Sequence, residues 1–231
     1  MTRGRQLCSG KFTKNYLLKN LLDNDVVERV EQICRLVEKH DVLPFTELII
    51  EDDSLLYRQI WIDRREVKGA ALLQALSQLA IGLDNIAAEG FVHGDLNFKN
   101  VMYDGEIFRV VDLEPSLRQL KMGKPALMFT APYIAVDDWQ SGRLTLVTDK
   151  VGFYFFCRRL ISPISNFVPR KTMNMIKEGI SSIWFYTGMK ENKFARLTFI
   201  DIFSLARNQV KTNYSASPQV GYFKKSDLTH D

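Results

Sequence analysis

Histidine and cysteine are scarce, and neither is clustered. His40, His93 and His230 stand far apart, which argues against a histidine-built zinc site. Cys8, Cys34 and Cys157 form no C-x-x-C pair and are odd in number, the pattern of free or buried thiols in a reducing compartment. Long apolar runs are missing too. The longest uninterrupted one, Val151 to Cys157, falls far short of the ~18 residues that span a bilayer, so no transmembrane helix is expected. Behind the basic start Met1-Thr2-Arg3-Gly4-Arg5 stands no apolar h-region, so no secretory signal is read and a cytoplasmic location is the expectation. Charge of one sign does not dominate: 31 Lys and Arg oppose 27 Asp and Glu, a net +4. The basic residues are scattered, which does not indicate nucleic-acid binding. What is there is a chain of 231 residues, 46% hydrophobic and 25% charged, near the globular mean and long enough for one domain or two small lobes.

Periodicity divides the chain. A short β-like stretch, Tyr16 to Lys19, precedes Asp25 to His40, where Val26, Val30, Ile33 and Val37 recur at helical spacing. Two β-like runs follow, Phe45 to Glu51 and Leu55 to Ile62, separated by the turn Glu51-Asp52-Asp53-Ser54. The start therefore reads strand, helix, strand, strand. From Gly69 the character changes. Ala70 to Ala88 is a long helix with Leu73, Leu76, Leu79, Leu83 and Ile86 at helical spacing. It runs into a polar loop and then into β-like pieces at Val101 to Tyr103 and Ile107 to Asp112, joined at Asp104-Gly105, which favours a tight hairpin. Beyond Glu114 a stretch with little periodicity gives way to helical patterns at Asp149 to Ile161, Thr172 to Tyr186 and Thr198 to Val210. The end, 212–231, is polar and reads as a tail. No internal repeat is visible.

The densest chemical signal is Phe91-Val92-His93-Gly94-Asp95-Leu96-Asn97-Phe98-Lys99-Asn100-Val101, followed by Val111-Asp112-Leu113-Glu114. Asp95, Asn100 and Asp112 fall on adjoining loop ends beside a β-hairpin, where their oxygens suit Mg²⁺. A carboxylate not committed to metal, Asp95, could accept a hydroxyl proton. The bland alternative is a set of turn-forming Asp and Asn residues.

These residues resemble the protein-kinase-like superfamily, whose catalytic loop reads H-[R/G]-D-L-x-x-x-N and whose metal loop reads D-F-G. His93-Gly94-Asp95-Leu96 with Asn100 matches the first pattern in full, and Asp112 matches the second at its metal-binding position. Thr130-Ala131-Pro132-Tyr133-Ile134-Ala135-Val136-Asp137 resembles the end of an activation segment, with Asp137 in place of Glu. Asp149, in Thr148-Asp149-Lys150-Val151-Gly152, resembles the D-x-W-S-x-G acid that braces the catalytic-loop backbone. Arg196-Leu197-Thr198-Phe199 resembles the segment whose Arg pairs with the activation-segment acid, which implies an Asp137–Arg196 ion pair. The departures lie early. Ser9-Gly10-Lys11-Phe12 keeps a single glycine of the glycine-rich loop, Leu17-Leu18-Lys19 imitates V-A-I-K, and Glu31 is chosen over Glu28 as the inward partner of Lys19, with Lys14 an alternative anchor. Glu114 stands where D-F-G has glycine.

The resemblance implies an α+β, two-lobed protein-kinase-like fold. Residues 1–63 would be a reduced nucleotide-binding N-lobe, Asp63 to Val67 a hinge, 64–211 a catalytic and mainly α C-lobe, and 212–231 a polar tail. It implies transfer of the ATP γ-phosphoryl to a hydroxyl of a protein substrate. Asp95, Asn100 and Lys99 would be catalytic, Gly10, Lys19, Glu31, Asn100 and Asp112 would bind the nucleotide, and Asn100 and Asp112 would hold Mg²⁺, with Mn²⁺ a substitute. The acceptor residue type stays open. Alternatives are a small-molecule or lipopolysaccharide-sugar kinase and a pseudokinase acting as a binding module. The partner is a protein, a host protein for an enzyme translocated to a host cell, and a monomer is the default.

Overall fold

Alternation and helical period sort the early chain into a sheet and a helix packed beside it. In the computed structural model, which describes residues 12–19, 24–51, 54–113, 134–141, 145–162 and 174–215, the order is strand β1 (Phe12–Lys19), helix α1 (Asn24–Lys39), β2 (Thr46–Glu51) and β3 (Ser54–Ile60). β3 is central and antiparallel to both neighbours. Its register pairs Glu51 with Ser54, leaving the two-residue joint at Asp52-Asp53 that the turn residues anticipate. Helix α1 buries Ile33 and Leu36 in the main core, while Glu31, Arg35 and Glu38 stay exposed.

Helix α2 (Gly69–Ala88) follows and buries Leu72, Ala75, Leu76, Leu79, Ala80, Leu83 and Ile86. Each buried Leu or Ile there contributes about 1.5–3 kcal/mol relative to an exposed one. Among the described residues it is the one helix that, by length and composition, could cross a membrane. Run length overlooks this because Gln74, Ser77 and Gln78 interrupt the apolar pattern. Its Leu and Ile stripe lies in the same core as the rest of the chain, which is the setting of a core helix. Gly90, at φ 76°, ends it: Gly90 N–H donates to Ala87 O and Phe91 N–H to Ile86 O. That turn drives Phe91 into the core and delivers the loop beginning at His93.

The hairpin β4 (Val101–Tyr103) and β5 (Phe108–Val110) comes next. Asp104 shapes its turn by accepting the N–H groups of Glu106 and Ile107, and Gly105 supplies φ 113°. Val110 N–H donates to Val42 O at 2.7 Å, so the hairpin is tied to the segment after α1. Helices α3 (Val136–Ser141), α4 (Leu146–Ile161), α5 (Ser182–Thr187), α6 (Glu191–Phe194) and α7 (Phe199–Ser215) complete an α+β arrangement whose strand pairings are antiparallel. α4 and α7 pack on α2 around Phe153, Tyr154, Phe199 and Ile202.

Several expectations need correction. The helix expected over Thr172 to Tyr186 is broken: a helical turn at 174–177 ends at Gly179, φ 76°, and α5 starts afresh from the Ser181 cap. Glycine there caps a turn instead of continuing it. Helix α7 runs on to Ser215, so the start of the expected 212–231 tail is helical. Gly10, Glu114, Thr130 and Tyr133 lie outside the described residues, as does the remainder of the tail.

Candidate functional site

A left-handed glycine and one close helix approach set the loop 93–100. Gly94 takes φ 84°, a conformation that side-chain-bearing residues avoid. At Gly152 on α4 an added Cβ would stand 2.1 Å from the Leu96 carbonyl oxygen, so glycine is what lets the helix touch the loop. One helical turn earlier, the carboxylate of Asp149 accepts the N–H of His93 at 2.6 Å and that of Gly94 at 2.7 Å. Asp149 is thus the brace that its position in the motif implies. Burial pushes its carboxyl up to about 6, against the opposing pull of those backbone N–H groups.

The buried ring of His93 holds the other side. Nδ1 accepts the N–H of Asp95 at 3.1 Å, and Nε2 lies 3.0 Å from Val111 O, which requires a donor. Together these contacts assign the Nε2–H tautomer. The ring joins the loop to the end of β5, a structural task and not a chemical one. Val111 N–H donates to Asn100 O at 2.8 Å, which seats Asp112 next to a residue paired with Asn100.

Within the loop two amides clamp Asp95. Asn97 Nδ2 donates to Asp95 Oδ1 at 2.7 Å and to its carbonyl at 3.0 Å, while Asn100 Nδ2 donates to Oδ2 at 2.9 Å and to the same carbonyl at 3.0 Å. Asn97 Oδ1 in turn accepts Lys99 N–H at 2.7 Å. Both amide hydrogens of Asn100 are therefore spent on Asp95, and its Oδ1 remains an acceptor. Lys99 is exposed.

Asp112 is the one non-glycine described residue with positive φ, 64°. Such a conformation costs on the order of 1–3 kcal/mol and persists where surroundings enforce it. Here they do: its N–H donates to Gln59 Oε1 at 3.3 Å, and buried Gln59 donates from Nε2 to Thr46 Oγ1 at 3.2 Å. Gln59, on β3, is a site residue that motif reading misses. The signal was strand alternation, which puts polar Gln59 on the same face of β3 as Leu55 and Tyr57, and it is buried. Asp112 carries no hydrogen bond or ion pair from its carboxylate among the described residues.

No group of three His, Cys, Asp or Glu side chains able to hold a metal is found among the described residues. Asn100 Oδ1 and the Asp112 carboxylate are nevertheless hard oxygens on segments joined by the Val111–Asn100 hydrogen bond, the donor type Mg²⁺ takes when phosphates and waters complete its shell. On that ground these residues fit the ion.

Other expected residues are not brought together. Glu31 does not turn inward: its side chain is 62% exposed and lies 3.6 Å from Arg35, one turn on along α1. Lys19 closes β1 opposite Ser54, and its anchoring role, like that of Lys14, concerns side chains outside those described. Asp137 and Arg196 are both exposed and form no ion pair with each other. Their neighbours do the structural work. Asp138 is the buried acid, accepting Thr145 N–H at 2.8 Å and Thr148 Oγ1 at 2.6 Å, and Glu191 accepts Val136 N–H at 3.0 Å and Ser181 Oγ at 2.7 Å.

No protein-family model matches this chain, and no curated protein matches it.

Proposed function

We propose that the protein is an ATP-dependent phosphotransferase of two-lobed, protein-kinase-like fold that moves the γ-phosphoryl to a hydroxyl of a protein substrate. One observation carries this reading: Asp95 is fixed by the amides of Asn97 and Asn100 in a loop that Asp149 holds from behind by two backbone N–H groups. Turn-forming residues alone do not call for so complete a network on a half-buried carboxylate. The reduced N-lobe, 1–63, and the C-lobe, 64–211, belong to the same proposal.

In this mechanism Asp95 orients the acceptor hydroxyl and takes its proton on a carboxylate oxygen. The clamp restricts its rotamers, so little orientation is lost at the moment of transfer. Asn100 Oδ1 and Asp112 would hold Mg²⁺, which supplies charge neutralisation on the phosphates when bound. Gln59 keeps Asp112 in its strained backbone conformation and so positions that carboxylate. His93 keeps the two loop ends in register.

The solvent-facing Glu31 favours a second reading, a nucleotide-binding module without transfer activity, because active kinases direct the glutamate of their lysine–glutamate pair inward. Incubation of the chain with γ-labelled ATP, Mg²⁺ and a cell lysate separates the readings. Label is expected in protein bands and not in a small-molecule fraction. Asp95→Ala should keep the ATP-induced thermal shift and lose transfer, and Asp112→Ala should lose the Mg²⁺-dependent part of the shift. If both variants still transfer phosphate, the site is elsewhere.

A further inference from the structure

Three basic side chains stand around Phe98 in the loop. The Arg159 guanidinium on α4 lies 4.2 Å from the ring centroid of Phe98, and that of Arg64 lies 4.9 Å from the same centroid. Arg64 also donates to the carbonyls of Phe98 at 2.5 Å and Val101 at 3.3 Å, which fixes it to the loop. Lys99 follows Phe98 directly and is exposed.

Some cations elsewhere stand against carboxylates, Arg35 against Glu31, Lys39 against Glu89 and Arg109 against Asp104. None of Arg64, Lys99 and Arg159 is paired with one among the described residues. At exposed sites a cation–π contact returns only about 0.5–1 kcal/mol, so the ring does not satisfy either guanidinium. An anion adds charge-assisted hydrogen bonds that the ring cannot supply. Guanidinium forks are also preorganised for carboxylates, the more so when one edge is already fixed.

We propose that Arg64, Lys99 and Arg159 recognise acidic residues flanking the acceptor hydroxyl of a protein substrate. This rests on the phosphotransfer reading, and it assigns that site its substrate class. A peptide fits better than a small dianion because the three cations come from separate stretches of chain and are all exposed. An enclosed cluster would suit a single small anion, whereas an open array suits several carboxylates in series. The net charge of only +4 means that this local excess is not a by-product of a basic chain.

The test measures fluorescence anisotropy of the full chain with two labelled peptides, a serine flanked by glutamates and the same serine flanked by lysines. The glutamate peptide should bind, the lysine peptide should not, and high salt should weaken binding. Arg159→Glu should lower affinity about tenfold or more while Arg159→Lys loses far less, with unchanged thermal midpoints showing that the variants fold. Equal binding of both peptides, or an Arg159→Glu variant that binds as before, overturns the proposal. So does complete displacement of the glutamate peptide by millimolar glucose 6-phosphate, which would make this a small-anion site. The binding readout needs no ATP. Acidic preference without phosphate transfer would sink the phosphotransfer reading and leave the surface standing, whereas transfer without acidic preference would sink only the surface.

Discussion

The loop around Asp95 and the exposed face of α1 carry comparable densities of polar side chains, yet only the first is determined by its sequence. In the loop every polar side chain except exposed Lys99 is half-buried or buried and needs a partner, so Asn97, Asn100, His93 and Asp149 leave few arrangements open. On α1, Glu31 sits in water, where pointing outward costs nothing. Burial turns residue identity into geometry. Exposure leaves the same identity uninformative.

The comparison is broken most forcefully at Asp149. Asp149→Ala removes the acceptor of two buried backbone N–H groups, each worth about 1–3 kcal/mol when left unpaired. Urea unfolding should show a loss of about 2–4 kcal/mol, and the loop should lose hydrogen-exchange protection at His93 and Gly94. A loss below about 1 kcal/mol would mean that the brace is dispensable and that the loop is no more determined than α1.

The fold was legible wherever one period persisted. Helices α1 and α2 follow the apolar spacing closely, because a stripe long enough to fill a core admits few registers. Short, polar-rich elements were not. Gly179 splits a helix that periodicity alone extends, although Gly-Ile-Ser-Ser does contain a stop followed by a cap. Asp137 and Asp138 are adjacent, and only packing decides that Asp138 is the inward one, bonded to Thr145 and Thr148. Of the site, Asp95, Asn100 and Asp112 were legible as a motif, and Asp149 as their brace. Gln59 was not, because its partner is the backbone of Asp112, distant in sequence and unreadable from residue type.

A smaller effect concerns protons. Burial lifts the Asp149 carboxyl to about 6 in the fold, whereas in the unfolded chain it titrates near its ordinary value of 3.8. Between these values the folded state binds more protons, so the contribution of this group to stability falls as pH rises through that window and is level above it. The full span corresponds to on the order of 3 kcal/mol at most. Asp149→Asn abolishes the titration. Urea unfolding of both proteins across the window should therefore show the stability of the natural chain, relative to the variant, declining toward pH 6. A difference independent of pH would mean that Asp149 is ionised throughout.

The smallest effect is expected at Glu31, and it sharpens the comparison from the other side. Its contact with Arg35 is an exposed pair one helical turn apart, worth about 0.3–0.5 kcal/mol and screened by salt. Glu31→Ala should therefore move the unfolding midpoint barely at all, and the thermal shift produced by ATP and Mg²⁺ should match that of the natural chain. If the variant instead lost nucleotide binding, Glu31 would have to swing inward to meet a lysine when nucleotide arrives. The exposed face of α1 would then be a resting position of the site, and the contrast with the loop would be one of occupancy and not of burial.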